Sequence, residues 1–261
     1  MLELRLKILG DYVDKFLICE ATRTFTNQPK ELLFDKNHKR FEKWKKKIIY
    51  VPVDLHTKGL DFSVKGAAGP AWILETQQRN AILTVGLNIF NEWDIILLSD
   101  LDEIPNPKLI ASLKPEQIRV LMQNYYIFYA NNKAGDNSWH GTVASSYRDI
   151  KKIGSVQTLR DIRHNFLPIF GGGWHLSFMG GKENIKHKLK SFSHTEFSGE
   201  EFCNDSHLDA CLNEGVNIFK KDEKSECKIV ELKNEYPDYV LQHILEYPEL
   251  VKKPKQLVFD F

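Results

Sequence analysis

Three acidic residues stand close together directly after a short apolar segment. Asp100, Asp102 and Glu103 follow residues 93–98, so the acids lie where a buried strand would leave the core. Alternate side chains of an extended chain share a face, which puts Asp100 and Asp102 on one side with α-carbons roughly 6.8 Å apart. Two carboxylates with further positions open to phosphate oxygens and water suit Mg²⁺ or Mn²⁺. The spacing predicts a metal site that also takes a nucleoside diphosphate.

An Asp-x-Asp pair alone is a weak signal, because short acidic pairs also occur in solvated turns at strand ends. Here three acids occupy four positions, 100–103, and this crowding of like charge needs a cation to offset it. We therefore favour the metal interpretation over the solvated turn. The ion would act as a Lewis acid on a departing phosphate.

The elements that must position this cluster alternate between helices and strands. Leucines at helical spacing predict a helix over residues 2–9. Apolar runs at residues 14–20 and 48–53 are too continuous for half-exposed strands, so they predict strands covered on both faces. Residues 71–90 read as a helix, and a third buried strand follows at 93–98. The alternation predicts an α/β layer with a mostly parallel central sheet, in which ligands gather at the carboxyl ends of the strands.

Signals in the second half of the chain are weaker. An aromatic-rich stretch predicts a strand over residues 118–130, and another strand is expected at 176–179 after a glycine-rich loop. A helix opens near Ser206 with a capping-box-like pattern and ends at Gly215.

Composition and charge exclude several classes of protein. The 261 residues include 42% hydrophobic and 27% charged residues, an ordinary globular balance that excludes low-complexity and wholly disordered chains. Lys and Arg number 36 against 35 Asp and Glu, a net charge of +1, so no overall field recruits nucleic acid or an anionic membrane. A basic run at residues 36–47 is a patch for an anionic partner or, as we favour, a solvated face.

Cysteine usage and hydropathy give an expected location. Cys19, Cys203, Cys211 and Cys227 lack CxxC spacing, and a chain of this length needs no disulfide scaffold. We expect a reducing, cytoplasmic setting, with Cys203 and Cys211 as small buried thiols. No window approaches the roughly 18 uninterrupted apolar residues of a membrane-spanning helix.

Four segments together resemble glycosyltransferase family 17, over most of residues 2–200 and in the family's order. They are DKFLICEATRTFTNQPKELLF, WILETQQRNAIL, LLSDLDEIPNP and GGGWHLSFMGG. The resemblance implies a GT-A fold, a nucleotide-binding α/β sandwich with a metal-bound UDP-sugar at the strand ends. It also implies inversion at the anomeric carbon and transfer of N-acetylglucosamine to a glycan or glycoconjugate acceptor.

The resemblance assigns metal and diphosphate roles to particular residues. Asp100 and Asp102 would bind the metal and diphosphate, with Glu103 holding them from behind or facing the sugar as a catalytic residue. His175, in Gly-Trp-His, would complete the metal site, since neutral imidazole is an acceptable Mn²⁺ ligand. The alternatives are a histidine satisfied within a glycine-rich turn, or His194 as the ligand.

The resemblance also marks residues for the nucleotide. Arg79 and Asn80, in Gln-Gln-Arg-Asn, would contact the uridine or diphosphate, for which arginine supplies a planar fork of donors. The alternative for Arg79 is an ion pair with Glu75 one helical turn earlier. Glu20 ends a strand where related folds place an acid against the nucleobase or ribose, although it could equally be a solvated strand terminus.

An inverting transfer needs a base for the acceptor hydroxyl. Glu196 falls near a family acid and is the preferred candidate, ahead of Glu201 and Asp205, the last of which also suits a helix start. Other aromatic residues could stack on sugar rings or simply fill the core; they are Tyr129, Trp139 and Trp174.

The chain departs from the family at its start. Family members usually have a strand before the helix that matches residues 2–9, so the first strand of the nucleotide-binding sheet is expected to be lacking here. Because no linker is visible, we expect one domain over residues 1–261. It has a nucleotide-binding part over 1–105, an acceptor and metal-completing part over 106–235, and a C-terminal helical tail over 236–261.

The sequence therefore predicts a metal-dependent inverting glycosyltransferase that uses a UDP-sugar. Two alternatives stay open. One is a metal-dependent phosphohydrolase with Asp100 as nucleophile, and the other is a non-catalytic relative that binds glycan or nucleotide.

Overall fold

The computed structural model describes residues 1–135, 139–224 and 226–253, with the backbone alone over 221–224. The helices are α1 Leu2–Leu9, α2 Leu33–Lys36, α3 Pro70–Gly86, α4 Pro107–Ile110, α5 Tyr147–Ile153, α6 Val156–Asp161, α7 Gly181–Ser191, α8 Glu200–Cys203, α9 Asp205–Glu214, α10 Leu232–Glu235 and α11 Asp238–Ile244. The strands are β1 Phe16–Ala21, β2 Ile48–Val53, β3 Ile95–Leu98, β4 Glu103–Pro105, β5 Arg119–Ile127, β6 Asn132–Ala134, β7 Trp139–Ser146, β8 Leu167–Ile169, β9 Gly173–Ser177, β10 Val216–Asn217, β11 Lys220–Lys224 and β12 Cys227–Ile229. Short 3-10 helices cover His38–Trp44, Gly66–Ala68, Arg163–Asn165, Thr195–Phe197 and Pro248–Leu250.

The strands form a mixed α/β arrangement rather than one parallel sheet. Strands β1 and β2 pair in parallel as a separate two-stranded sheet. The main sheet runs β12-β6-β5-β7-β3, with β8 and β9 also beside β5 and with β4 beside β9. The α/β class is confirmed.

The expectation of a mostly parallel central sheet is wrong for this main sheet. Strand β7 pairs antiparallel with both β3 and β5, and β4 pairs antiparallel with β9. Among the described strands beside β5, those that run parallel to it are β8 and β9. Strands β5, β6 and β7 follow one another through short connections, which allow antiparallel pairing without a crossover.

Local predictions in the first half agree well with the structure. Helix α1 and strand β2 have the predicted bounds, and α3 occupies most of the predicted 71–90 helix. In the second half, the glycine-rich loop ends earlier than expected. His175 lies inside β9, where it is opposite Glu103 of β4 and Tyr125 of β5. Neighbouring strands therefore fix the position of His175.

The core lies on both sides of the main sheet. Helix α1 buries Leu4, Leu6 and Leu9 in a cluster with Ile104 and Trp174 from strands β4 and β9. A second cluster joins α7 and α9 to the end of β5; it contains Ile127, Phe128, Ile185, Leu189 and Leu208. Packing of α1 against the sheet explains how a residue of this first helix, Arg5, reaches the acidic turn described below.

Strands β1 and β3 line a cleft instead of lying side by side. No described strand pairs with both of them. Most residues of β1 and of β3 are half-buried rather than covered on both faces, because they face this cleft of about 1820 Å³. The predicted lack of the family's first strand stays a prediction.

Two further expectations concern the state of the cysteines and the length of the helices, and the described residues bear on both. Cys203 and Cys211 are buried free thiols, as predicted. Among the described helices, none has the length and apolar character that crossing a membrane requires. Of the predicted tail over 236–261, residues 254–261 lie outside the described residues.

Candidate active site

The acidic turn, residues 99–103, connects β3 to β4 and lines the cleft at the carboxyl end of β3. Its three acidic side chains differ sharply in exposure. Asp100 is 39% exposed, Asp102 is 17% exposed and Glu103 is fully buried at 0%. The turn therefore presents two carboxylates to the cleft and keeps the third inside the protein.

Glu103 is held from behind by an arginine and a tryptophan. Arg160 of α6 donates from Nη1 to Glu103 Oε2 and from Nη2 to Oε1, both at 2.8 Å. Trp139 Nε1 donates to Oε1 at 2.7 Å, and the Asp100 backbone N–H donates to Oε2 at 3.1 Å. Both oxygens of Glu103 are thus engaged inside the protein. Glu103 therefore lies behind Asp100 and Asp102 and leaves no face toward the cleft, and its catalytic role stays a prediction.

Asp100 accepts hydrogen bonds from two guanidinium groups. Arg79 Nη2 donates to Oδ1 at 2.7 Å, and Arg160 Nη2 donates to Oδ2 at 3.0 Å. Burial disfavours the charged carboxylate, but these two arginines outweigh it and lower the pKa of Asp100. Arg79 also pairs with Glu75 at 2.8 Å and binds Gln157 Oε1 at 2.7 Å. The ion pair to Glu75 and the contact at the acidic turn therefore coexist.

Asp102 faces a different pair of groups. Lys188 Nζ of α7 donates to Oδ2 at 2.8 Å, and His175 Nε2 lies 3.6 Å from Oδ1. Burial again disfavours the carboxylate, but Lys188 and His175 outweigh it and lower the pKa of Asp102. Lys188 also donates to Ser177 Oγ at 3.2 Å. The two acids of the turn that face the cleft are consequently held by different elements.

The side chain of Arg5 in α1 binds mainly the backbone of the acidic turn. Its guanidinium donates to the carbonyl oxygen of Glu103, to that of Asp100 at 3.4 Å, and to Ser99 Oγ at 2.9 Å. Burial lowers the pKa of Arg5 to about 10, so the group stays protonated at neutral pH. Helix α1 therefore fixes the path of the acidic turn.

An aromatic wall lines the cleft beside Asp102. His175 stacks on Tyr125 with ring centroids 4.9 Å apart and an interplanar angle of 18°, and it packs on Trp139 at 4.7 Å. Burial raises the pKa of Tyr125 to about 12, so its phenol stays neutral. Nδ1 of His175 is buried without a hydrogen-bond partner. Trp139 thus belongs to the site, whereas Trp174 is buried in the core.

The described residues fit a hard cation only in part. No group of three or more His, Cys, Asp or Glu side chains in the described parts of the chain is arranged to hold a metal ion. Asp102 and His175 are close enough to share one ion, since ligand atoms about 2.1 Å from a common centre lie roughly 3 Å or more apart. Asp100 is turned toward Arg79 and Arg160 instead. The structure brings together two of the three predicted ligands.

Two predicted nucleotide contacts have local structural partners. Asn80 Oδ1 accepts from the Val156 backbone N–H at 2.8 Å, which caps the start of α6, and Asn80 does not line the cleft. Glu20 lines the cleft, but its oxygens accept from the backbone N–H groups of Leu33 and Phe34 at 2.7 and 2.9 Å. Both residues position neighbouring elements, and their nucleotide contacts stay predictions.

The carboxylates predicted as base do not line the cleft, although a histidine next to one of them does. His194 lines the cleft, and its Nδ1 is 2.9 Å from Glu196 Oε1. Neither Glu196 nor Glu201 lines the cleft. Asp205 is the first residue of α9 and pairs with Lys186, as expected for an acid at a helix start.

Sequence reasoning missed the cations that hold the acidic turn. They are Arg5, Arg160 and Lys188. The crowding of three acids indicated that cations must be near. Nothing local, however, distinguished these three among 36 Lys and Arg residues, because each comes from a remote helix.

Comparison with known proteins places the chain in a family. The model of glycosyltransferase family 17 matches residues 1–226, so the chain belongs to that family and the resemblance is confirmed. Over 119 residues it is 29% identical to the beta-1,4-mannosyl-glycoprotein 4-beta-N-acetylglucosaminyltransferases of Homo sapiens and Rattus norvegicus. The corresponding Mus musculus protein is 28% identical over the same length.

The matched stretch is 44% of this chain and 21% of each of these relatives, so it covers about a fifth of their length. No solved structure matches the chain.

Proposed function

We propose that the chain is a metal-dependent inverting glycosyltransferase that moves a sugar from a UDP-sugar to a hydroxyl of a glycan or glycoconjugate. One observation carries the proposal. In a single cleft, the acidic turn meets a lysine, an arginine and an aromatic wall. Metal-ligating carboxylates, cations for a diphosphate and flat surfaces for rings are what a nucleotide-sugar requires.

Asp102 and His175 are the residues that would hold the metal. A bound Mn²⁺ or Mg²⁺ would supply Lewis-acid stabilisation for the diphosphate leaving group. The distance of 3.6 Å between His175 Nε2 and Asp102 Oδ1, with both side chains lining the cleft, supports this assignment. Asp100 stays a candidate ligand, since at 39% exposure it could turn away from its arginines.

Lys188 and Arg79 are the residues that would face the diphosphate. Both line the cleft, and each binds one of the two acids of the turn that face it. When an anionic ligand enters, a flexible ammonium such as that of Lys188 can move from Asp102 to a phosphate oxygen. The residue thereby provides positive charge where the leaving group gains negative charge.

The remaining walls of the cleft suit the sugar ring and the uracil ring of the donor. Tyr125 and Trp139 offer flat apolar surface beside Asp102, and the half-buried residues of β1 and β3 offer a long apolar floor. We assign N-acetylglucosamine as the transferred sugar because the named relatives are N-acetylglucosaminyltransferases. The GT-A fold type is part of the proposal and rests on the resemblance of the sequence segments to the family.

The phosphohydrolase alternative has less support from the site. A nucleophilic Asp100 would need a free carboxylate oxygen, and both of its oxygens accept hydrogen bonds from arginines. The non-catalytic alternative predicts metal-dependent UDP binding without turnover.

The proposal is tested by release of UDP from a panel of UDP-sugars, with Mn²⁺ or with a chelator, in the presence of mannose-containing acceptors. We expect metal-dependent release from UDP-N-acetylglucosamine and a β-linked product by NMR. Binding of UDP without release from any donor would support the non-catalytic alternative. An aspartyl-phosphate intermediate would support the phosphohydrolase.

A further inference from the structure

We infer that His194 is the group that takes the proton from the acceptor hydroxyl, with Glu196 as the residue that positions its imidazole. This inference rests on the proposed function and names a catalytic residue within it. It reverses the preference for Glu196 drawn from the sequence.

The positions of the two side chains relative to the cleft carry the assignment. His194 lines the cleft that contains Asp102 and Lys188, whereas Glu196 does not. The imidazole therefore lies between Glu196 and the cleft. A group that abstracts a proton must reach the substrate, and of this pair only His194 does so.

The hydrogen bond between them fixes the form of the imidazole. Nδ1 of His194 is 2.9 Å from Glu196 Oε1, and a carboxylate can only accept, so Nδ1 carries the proton. In the neutral ring Nε2 then keeps its lone pair and can act as the base. A base oriented by a carboxylate is the arrangement that activates hydroxyl groups in other enzymes.

The surroundings of His194 also point to a ligand. The ring packs edge-on against Trp72 of α3 at 4.8 Å between ring centroids. It is tilted against Phe192 at 5.5 Å and against Phe197 at 6.1 Å. Trp72 lines the cleft, and its indole Nε1 is buried without a hydrogen-bond partner. An acceptor hydroxyl or its ring oxygen would give this donor a partner. Of the groups that contact the His194 ring, Trp72, Phe192 and Phe197 are uncharged and Glu196 is charged.

The step balances without any further reactant. The acceptor oxygen forms a bond to the anomeric carbon as its proton passes to Nε2 of His194. The bond from the anomeric carbon to the diphosphate oxygen breaks, and its electron pair leaves on UDP. The products are the glycoside, UDP and protonated His194, which then loses its proton to water.

Glu75 is the rival for this role. It lines the cleft, and its Oε2 is buried without a hydrogen-bond partner, although Oε1 pairs with Arg79. The experiment therefore compares His194→Gln, Glu196→Gln and Glu75→Gln. His187→Gln is the matched control, because His187 is exposed on α7 outside the cleft.

For the full chain we expect His194→Gln to lower kcat by about 10²–10⁴-fold, with Mn²⁺-dependent UDP affinity and Tm unchanged. Glu196→Gln should lower kcat less. It should also leave the KM of donor and acceptor unchanged, because the amide oxygen can still accept from Nδ1 but no longer balances the charge of the imidazolium formed in the step. A substitution that merely loosened the segment would raise KM as well. His187→Gln should match the wild type.

A second readout does not depend on turnover. The ¹⁵N NMR shifts of the His194 ring should report the Nδ1-protonated tautomer in the wild type. The inference is overturned if His194→Gln keeps more than a third of the wild-type kcat, if Glu75→Gln alone abolishes turnover, or if Nε2 carries the proton. Absence of UDP release by the wild type would instead contradict the proposed function. The NMR tautomer would still test whether Glu196 accepts the hydrogen bond from Nδ1 of His194.

Discussion

The acidic turn and the His194 segment, residues 193–197, face the same cleft but are held in opposite ways. In the turn, Glu103 is 0% exposed, and the buried Arg160 binds both of its oxygens. In the His194 segment, His194 is 47% and Glu196 is 37% exposed, and they share a single hydrogen bond. The first region depends on buried ion pairs from remote helices, and the second depends on ring contacts and one exposed hydrogen bond.

The difference indicates that the acidic turn contributes to both stability and activity, whereas the His194 segment contributes mainly to activity. Charges buried in a network fix geometry because removing one partner leaves another charge unpaired, so the turn can be changed only at a cost in folding. A half-exposed pair has little effect on folding, so its chemistry can be altered by itself. We therefore expect substitutions in the turn to lower stability and activity together, and substitutions in the His194 segment to lower activity alone.

The largest expected effect comes from Arg160. Arg160→Met leaves buried Glu103 without its cation and should reduce the free energy of unfolding by about 3–5 kcal/mol. Urea denaturation measures the change. Arg119→Met, at a partly exposed arginine of β5, is the control and should stay within about 0.5 kcal/mol. A loss below about 1 kcal/mol for Arg160→Met would remove the contrast between the two regions.

A smaller effect is expected from the tryptophan on the same acid. Trp139→Phe keeps the ring stacking but removes the donor to Glu103 Oε1, and it should reduce the free energy of unfolding by about 1.5–3 kcal/mol. The exposed Trp93 gives a matched variant, Trp93→Phe, for which little change is expected. Equal effects of the two variants in urea denaturation would show that Glu103 does not need this bond.

The pH dependence of stability gives a third comparison. Because the folded-state pKa of Asp102 is depressed, its contribution is fully present above the unfolded value of about 3.9 and is lost as pH falls below it toward the folded value. Tm measured from pH 7 to pH 2 should therefore decline more steeply for the wild type than for Lys188→Met, in which the neighbouring ammonium is absent. Parallel curves would show that Lys188 does not stabilise the Asp102 carboxylate.

The smallest effect on stability is expected in the His194 segment. Glu196→Gln should change the free energy of unfolding by no more than about 0.5 kcal/mol, since the residue is exposed and makes one side-chain contact. Urea denaturation of Glu196→Gln and Arg160→Met under the same conditions compares the two losses in free energy of unfolding directly. A loss of 2 kcal/mol or more would place the segment in the same structural class as the turn.

The sequence predicted local elements better than the contacts between them. Helix α1 and strand β2 follow from apolar spacing within a few residues, and both have their predicted bounds. The direction of β7 in the main sheet depends on pairing with β3, nearly fifty residues earlier, and no local pattern records it. This is why the mostly parallel sheet was a wrong expectation.

The same limit explains what was found and missed at the site. The acids of the turn were visible because they are adjacent in sequence. Arg160 was not, because it lies 57 residues from Glu103 and belongs to a helix whose short sequence resembles a surface helix. His175 was found through the family resemblance, but its place inside β9 follows from pairing with β4 and β5.

The central claim is that Asp102 anchors a metal together with UDP, and calorimetric titration of UDP tests it most directly. The wild type should bind UDP at least about 10-fold more tightly with Mn²⁺ than with a chelator, and Asp102→Asn should abolish that difference. Asp11→Asn, an exposed acid outside the cleft, should behave as the wild type. Equal affinity of the wild type with and without Mn²⁺, or an unchanged metal dependence in Asp102→Asn, would contradict the account.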